Sequence, residues 1–233
     1  MEIYKNNVLG EYINKIKNKK GKVGFFAVGH DIYWPQFPNL KGKLIKHISY
    51  FFMKLKERSN AEIIKFDDLC DSYKKAYEAG LFFSTRQLDL VICYIATYSP
   101  AINTTAVIQK VGNVPIVLAC LQPTLGLNCE KGTTEDQLEN DNITSLPEIT
   151  NALNRMNKKP LDCIVGMLYD DKRAWDRIKD WCNVAPVAHN FGYNQIGLMG
   201  HVYEGMLDMN SDPTMFDAHF GMHVEHLEME DLE

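Results

Sequence analysis

Apolar residues in this chain fall into two alternating patterns. Short, nearly continuous runs occur at Lys22–Val28 (KVGFFAV), 61–66 (AEIIKF), 88–95 (LDLVICYI), 114–120 (VPIVLAC) and 161–168. Runs of this length read as strands, and their continuity predicts cover on both faces, as in a parallel sheet. Between them the period changes to that of a helix. Leu40–Arg58 repeats Leu40, Leu44, Ile48, Phe51, Phe52 and Leu55 along one face. Further helices are predicted over 71–85, with Tyr73, Ala76 and Tyr77 inward, and over Ile102–Val111, closed by Gly112. Two more are predicted over 145–156, capped by Ser145, and over 170–181, with Trp175, Ile178 and Trp181 inside. A helix capped by Asn7, with Val8, Leu9, Tyr12, Ile13 and Ile16 on one face, is predicted ahead of the first strand.

This alternation predicts an α/β fold: a flavodoxin-like five-stranded parallel sheet in the order 2-1-3-4-5, with right-handed crossovers and helices on both faces. Residues 30–38 (HDIYWPQFP) read as a loop, and 121–144 as a long polar loop with a functional role. The first domain is expected to span 1–182, and 183–194, with Pro186 and Gly192, to be an irregular linker. Residues 195–233 then open a second α/β domain. An apolar run, 196–199, stops at Gly200 and is followed by His201, Tyr203 and Glu204; Asp212 and Pro213 start a helix, and 222–229 is strand-like. A β-α-β unit of about 40 residues buries too little to fold alone. It either docks on the first domain, or the rest of its domain is missing or lies on another chain.

Composition narrows the function classes. The 233 residues are 45% hydrophobic and 24% charged, with 25 basic against 30 acidic residues and a formal net charge of −5, so no nucleic-acid footprint is expected. Lysines gather early (Lys15, Lys17, Lys19, Lys20, Lys22) and acids late (Glu225, Glu228, Glu230, Asp231, Glu233), which reads as solvated ends of elements. Six scattered cysteines form no Cys-x-x-Cys pair, and Cys93, Cys120 and Cys163 sit inside apolar runs. That pattern fits a reducing, cytoplasmic setting better than a disulfide framework. No signal-peptide pattern and no membrane-spanning apolar run is present, so no membrane partner is expected.

In open α/β sheets ligands bind beyond the carboxyl ends of the strands, where strand order reverses. The loops there carry His30, Asp31, Tyr33 and Trp34 after the first strand, Thr97, Tyr98 and Ser99 after the third, and Gln122 and Thr124 after the fourth. Hydroxyls, an amide, a carboxylate and aromatic faces suit a neutral polyol. Thr97 and Ser99 equally suit turn residues bonding to backbone. The first strand is followed by no Gly-x-Gly-x-x-Gly and no P-loop, and Gly-x-Ser-x-Gly is absent. The third strand ends in Tyr94-Ile95-Ala96, without a phosphoacceptor Asp. His219, His223 and His226 with Glu225 and Glu228 have the look of metal ligands. However, Gly221 separates His219 from the rest, and a spacing of three puts His223 and His226 on opposite strand faces.

VGHDIYWPQFPNLK, ATYSPAINTTAVIQK with LACLQPT, and GHVYEGMLDMNSDPT with FGMHVEHLEMEDL together resemble the amino-terminal half of the L-fucose isomerase and L-arabinose isomerase family. The resemblance implies an aldose–ketose isomerase whose subunit has two flavodoxin-like amino-terminal domains and a carboxy-terminal part. It implies a divalent cation, commonly manganese, whose ligands lie outside this chain. It also implies a homo-oligomer, or a downstream carboxy-terminal half, as partner, with the first domain of one subunit covering a neighbour's active site. Gln122 is similar to the family's substrate-facing glutamine. Tyr203 stands in the position of a substrate-facing residue of different type, and His30 and Asp31 occupy a loop where the arabinose enzymes carry Gln. With Trp34, these are the expected contacts to an aldose or ketose; no catalytic residue and no metal ligand is assigned to this chain.

Overall fold

The computed structural model describes residues 20–128, 130–191 and 195–228. The helix expected near Asn7, Cys129 and the acidic residues after Glu228 lie outside the described residues. Two compact units are resolved: one is Lys20–Ala185, and the other takes in the chain from Pro186 onward.

In the first unit five strands pair in parallel in the order β2-β1-β3-β4-β5. They are β1 (Lys22–Val28), β2 (Glu62–Lys65), β3 (Leu90–Ile95), β4 (Ile116–Gln122) and β5 (Asp162–Met167). The helices between them are α1 (Leu40–Arg58), α2 (Tyr73–Ser84), α3 (Ile102–Val111), α4 (Thr134–Glu139), α5 (Ser145–Arg155) and α6 (Lys172–Phe191). This is the doubly wound, flavodoxin-like sheet that the apolar pattern predicts. Alternation along β1 explains both layers: Val23, Phe25 and Ala27 face one way, Phe26 and Val28 the other. On the first face, α1 and α6 bring Phe51 and Trp175 onto Phe25 and Tyr94, with Phe51 stacked 5.2 Å from Phe25 and 4.6 Å from Tyr94. On the second, α2, α3 and α5 contribute Phe83, Val107 and Ile149.

Several boundaries differ from the sequence reading. Tyr73 is 56% exposed; α2 instead buries Ala76, Ala79, Gly80 and Phe83. Ser145 is the first residue inside α5 and not its cap, because its hydroxyl accepts a bond from the Ser99 backbone N–H at 2.6 Å. Residues 183–191 are helical, where an irregular linker is expected. Cys182 and Ala185 continue the buried stripe of Trp175 and Ile178, so burial outweighs the backbone bond that Pro186 removes. The 121–144 loop contains α4, started by a reciprocal Thr133–Asp136 capping box.

The described cysteines are all unpaired, and Cys70, Cys93, Cys120 and Cys182 are buried. Burial pushes the Cys93 and Cys120 thiols up to about 12, so they pack as apolar groups. No helix among the described residues is long and apolar enough to cross a membrane.

The second unit contains a parallel pair, β6 (Gln195–Met199) and β7 (His223–Leu227), joined through α7 (Pro213–Phe220). Asp212 caps α7 by accepting from the Thr214 N–H at 2.8 Å, with Pro213 at the first helical position, and Gly221 ends it at φ +64°. The expected β-α-β is therefore present. It leaves Met206, Leu207, Met209 and Phe220 largely exposed.

Candidate functional site

Strand order reverses between β1 and β3, the position beyond whose carboxyl edge open α/β sheets bind ligands. His30 stands at the end of β1. Its ring meets Tyr33 edge-on at 5.4 Å and lies 6.3 Å from Tyr98, which belongs to the loop after β3. His30 Nδ1 is 3.4 Å from Asp31 Oδ1 but is not aligned for a hydrogen bond; this buried nitrogen bonds to no described residue. The Asp31 side chain is more than half exposed, while its backbone N–H donates to the Asp71 carbonyl at 3.0 Å and fixes the turn.

Acidic groups from later in the chain complete this corner. The Tyr98 hydroxyl donates to Glu148 Oε2 at 3.1 Å, while Glu148 Oε1 accepts from the Ala101 N–H at 2.8 Å. Burial, with the nearby Asp141 and Tyr98, raises the Tyr33 pKa; burial and Glu148 raise that of Tyr98. Both phenols therefore stay protonated near neutral pH and can donate hydrogen bonds. An imidazole, two neutral phenols and carboxylates can hold a polyol.

Gln122 closes β4, one strand farther along the same edge. Its Nε2 donates to the Thr124 carbonyl at 2.8 Å, and Thr124 donates from N and Oγ1 to Asn140 Oδ1 at 3.0 and 2.7 Å. The amide nitrogen is thus engaged, and Oε1 remains an acceptor without a partner among the described residues.

Other expected contacts have structural work. Thr97 and Ser99 are fully buried; Thr97 Oγ1 donates to the Leu138 carbonyl at 2.5 Å, and the Ser99 N–H bonds to Ser145. Trp34 is half-buried: its Nε1–H donates to Asp71 Oδ2 at 2.9 Å, and the Lys41 ammonium lies 5.3 Å from its ring centroid. Its polar atom and one ring face are already occupied. Tyr203 lies in the second unit and is 77% exposed.

Sequence reasoning missed Asn140, Asp141 and Glu148. The legible signal was Thr133-x-x-Asp136, a helix start inside the stretch read as loop.

A manganese centre requires several oxygen or nitrogen donors converging on one point. Among the described residues, no group of three or more His, Cys, Asp or Glu side chains is placed to share a metal ion. His223 and His226 occupy positions of opposite orientation on β7, and Gly221 divides them from His219. The described donor set therefore does not fit a manganese site. No protein-family model matches the chain, and no curated protein matches it at a significant level.

Proposed function

We propose that this chain is the amino-terminal portion of an aldose–ketose isomerase of the L-fucose/L-arabinose type, contributing sugar contacts and subunit assembly. The observation that carries this reading is the corner where His30 and Tyr33, after β1, meet Tyr98, after β3, at the reversal of strand order. The ring faces suit a sugar's C–H surface. His30, Asp31 and Gln122 Oε1 suit its hydroxyls. The resemblance in the GHDIYWPQFP, TYSPAIN and LQPT segments supports the same reading. Manganese, which such a reaction uses to polarise the carbonyl and hydroxyl oxygens, would be bound on other polypeptide, so this chain alone is not expected to turn over substrate.

Titration of the full chain with a panel of aldoses and ketoses, followed by backbone amide NMR, tests this. Saturable shifts confined to residues 29–34, 97–101 and 122–124 are expected. No saturable shift with any sugar, or shifts elsewhere, would overturn the proposal.

A second reading is a non-catalytic sugar-binding or assembly module. The exposed Tyr203, Leu207 and Met209 of the second unit favour it, since grouped apolar exposure marks contact surfaces. The two readings separate by assay. Isomerase activity that appears when this chain is mixed with a manganese-loaded carboxy-terminal half favours the first; assembly without turnover favours the second.

A further inference from the structure

Away from the His30 corner, a cavity of about 110 Å³ opens between α1 and α2 beside the end of β2. Its deep surface is apolar, with Ala27, Ile48 and Leu69 all buried. Three lysines from three elements line it: Lys41 of α1, Lys65 of β2 and Lys75 of α2. Behind them lies Asp71, whose side chain is 3% exposed. Lys41 Nζ lies 3.1 Å from its Oδ2, and Lys75 Nζ 3.0 Å from its Oδ1. Two ammonium groups thus share one buried carboxylate and leave one positive charge in excess. Lys65 lies 3.5 Å from Asp67, which is 95% exposed, and its ammonium also sits 5.3 Å from the Phe52 ring centroid. Asp67 and Asp68 form the exposed rim; Asp68 also acts on Lys75, so the three lysines are matched overall by three carboxylates, two of them at the solvated rim. The enclosed part of the cavity is therefore cationic over an apolar floor, and its volume suits a single tetrahedral oxyanion.

We propose that this cavity binds a small oxyanion, a phosphate ion or the phosphoryl group of a larger molecule, through Lys65 with Lys41 and Lys75. Lys65 is the residue best placed to give up its present partner, because Asp67 is solvated and Asp71 is not. Hydrogen bonds from Lys75, Trp34 and Lys41 hold Asp71 ionised against its burial, so two ammonium groups stay fixed on one carboxylate beside the cavity. Asp71 also accepts from Trp34, and Lys41 lies against the Trp34 ring, so the site adjoins the loop after β1 but does not depend on sugar binding there.

The test is titration of the full chain with inorganic phosphate at low, chloride-matched ionic strength, read by calorimetry and by amide NMR of residues 65–75. Saturable binding is expected. Lys65→Gln should weaken it roughly tenfold, the loss of one charge-assisted hydrogen bond. Asp67→Asn should tighten it, because it removes the acid that competes for Lys65; this exposed change leaves the fold intact even if the lysine variant does not fold. A sugar phosphate and the same sugar without phosphate form the second arm. Tighter binding of the sugar phosphate than of phosphate identifies a phosphorylated metabolite as ligand, and the reverse identifies the free ion. Absence of saturable phosphate binding, or unchanged affinity in the Asp67→Asn protein, would overturn the proposal.

Discussion

His47 Nε2 stands 2.7 Å from Glu139 Oε1, and its Nδ1 stands 2.7 Å from the Tyr169 hydroxyl. One imidazole thereby joins α1, the end of α4 and the segment after β5. Glu139 also meets Lys43 at 3.1 Å, and Lys43 meets Glu135 at 3.0 Å. Asn140, which holds Thr124 beside Gln122, is the next residue. His47→Ala removes both bonds and leaves two half-buried polar partners, so a loss of about 1–3 kcal/mol is expected in denaturant unfolding. Amide exchange should quicken at 134–140 and not in β1 or β3. Uniform quickening across the sheet would refute a local latch.

Asp71 makes part of the fold's stability acid-sensitive. Burial alone would raise its pKa, but hydrogen bonds from Lys75, Trp34 and Lys41 outweigh burial and hold it below the usual carboxylate range. The unfolded chain therefore binds more protons in the window between the depressed folded pKa and the ordinary value, about 3.9. This contribution to stability is complete above the ordinary value and is lost as pH falls through the folded one. Asp71→Asn should be less stable than wild type at neutral pH and should lose less on acidification. Parallel stability–pH curves for the two proteins would contradict this assignment.

The Asn140–Thr124–Gln122 chain of bonds separates positioning from contact. Gln122→Ala should abolish or sharply weaken any sugar response at 122–124, with unfolding changed by no more than about 0.5 kcal/mol, since this half-buried side chain ends its strand and bonds only to the Thr124 carbonyl. Asn140→Ala leaves Gln122 in place but frees Thr124, so a weaker response is expected together with broadened Thr124 and Gln122 amide signals. Equal sugar affinity in both variants and wild type would remove Gln122 from the site.

The sheet was legible because its signal is periodic and local. KVGFFAV and LDLVICYI read as buried strands from their length and β-branched and aromatic content, and their alternation with amphipathic helices suggests the order 2-1-3-4-5. The β-α-β unit was legible through Asp212, Pro213 and Gly221, whose backbone roles are fixed by residue type. The site was less so. His30, Tyr33 and Tyr98 could be placed at one edge from topology, but Glu148 and Asn140 reach it from residues distant in sequence, and no spacing rule encodes such contacts. Trp34 is placed among the sugar contacts from its loop alone, and an aromatic in a proline-rich loop gives no sign of the buried carboxylate, 37 residues away, that its Nε1–H meets. Residues 183–191 are helical where an irregular linker is expected, because Cys182 and Ala185 extend a buried stripe; the division into two units still falls in that stretch, between Ala185 and Pro186.

Asn142 closes the carboxyl edge from inside. Its Nδ2 donates to the Ile95 carbonyl at 2.6 Å and the Leu121 carbonyl at 3.3 Å, tying the ends of β3 and β4 to the segment before α5. Its Oδ1 is buried and bonds to no described residue. Asn142→Ala would leave the Ile95 carbonyl short of a donor, which costs about 1–3 kcal/mol, but it also removes an unpaired buried acceptor. Leu121 keeps a donor in the Tyr94 hydroxyl at 3.1 Å. The net loss should therefore fall near the low end of that range, and Asn142→Asp should cost more, because it puts charge on the unpaired oxygen and removes the donor. Denaturant unfolding of the two variants at neutral pH checks the order, and an aspartate variant as stable as the alanine variant would show that Oδ1 is solvated.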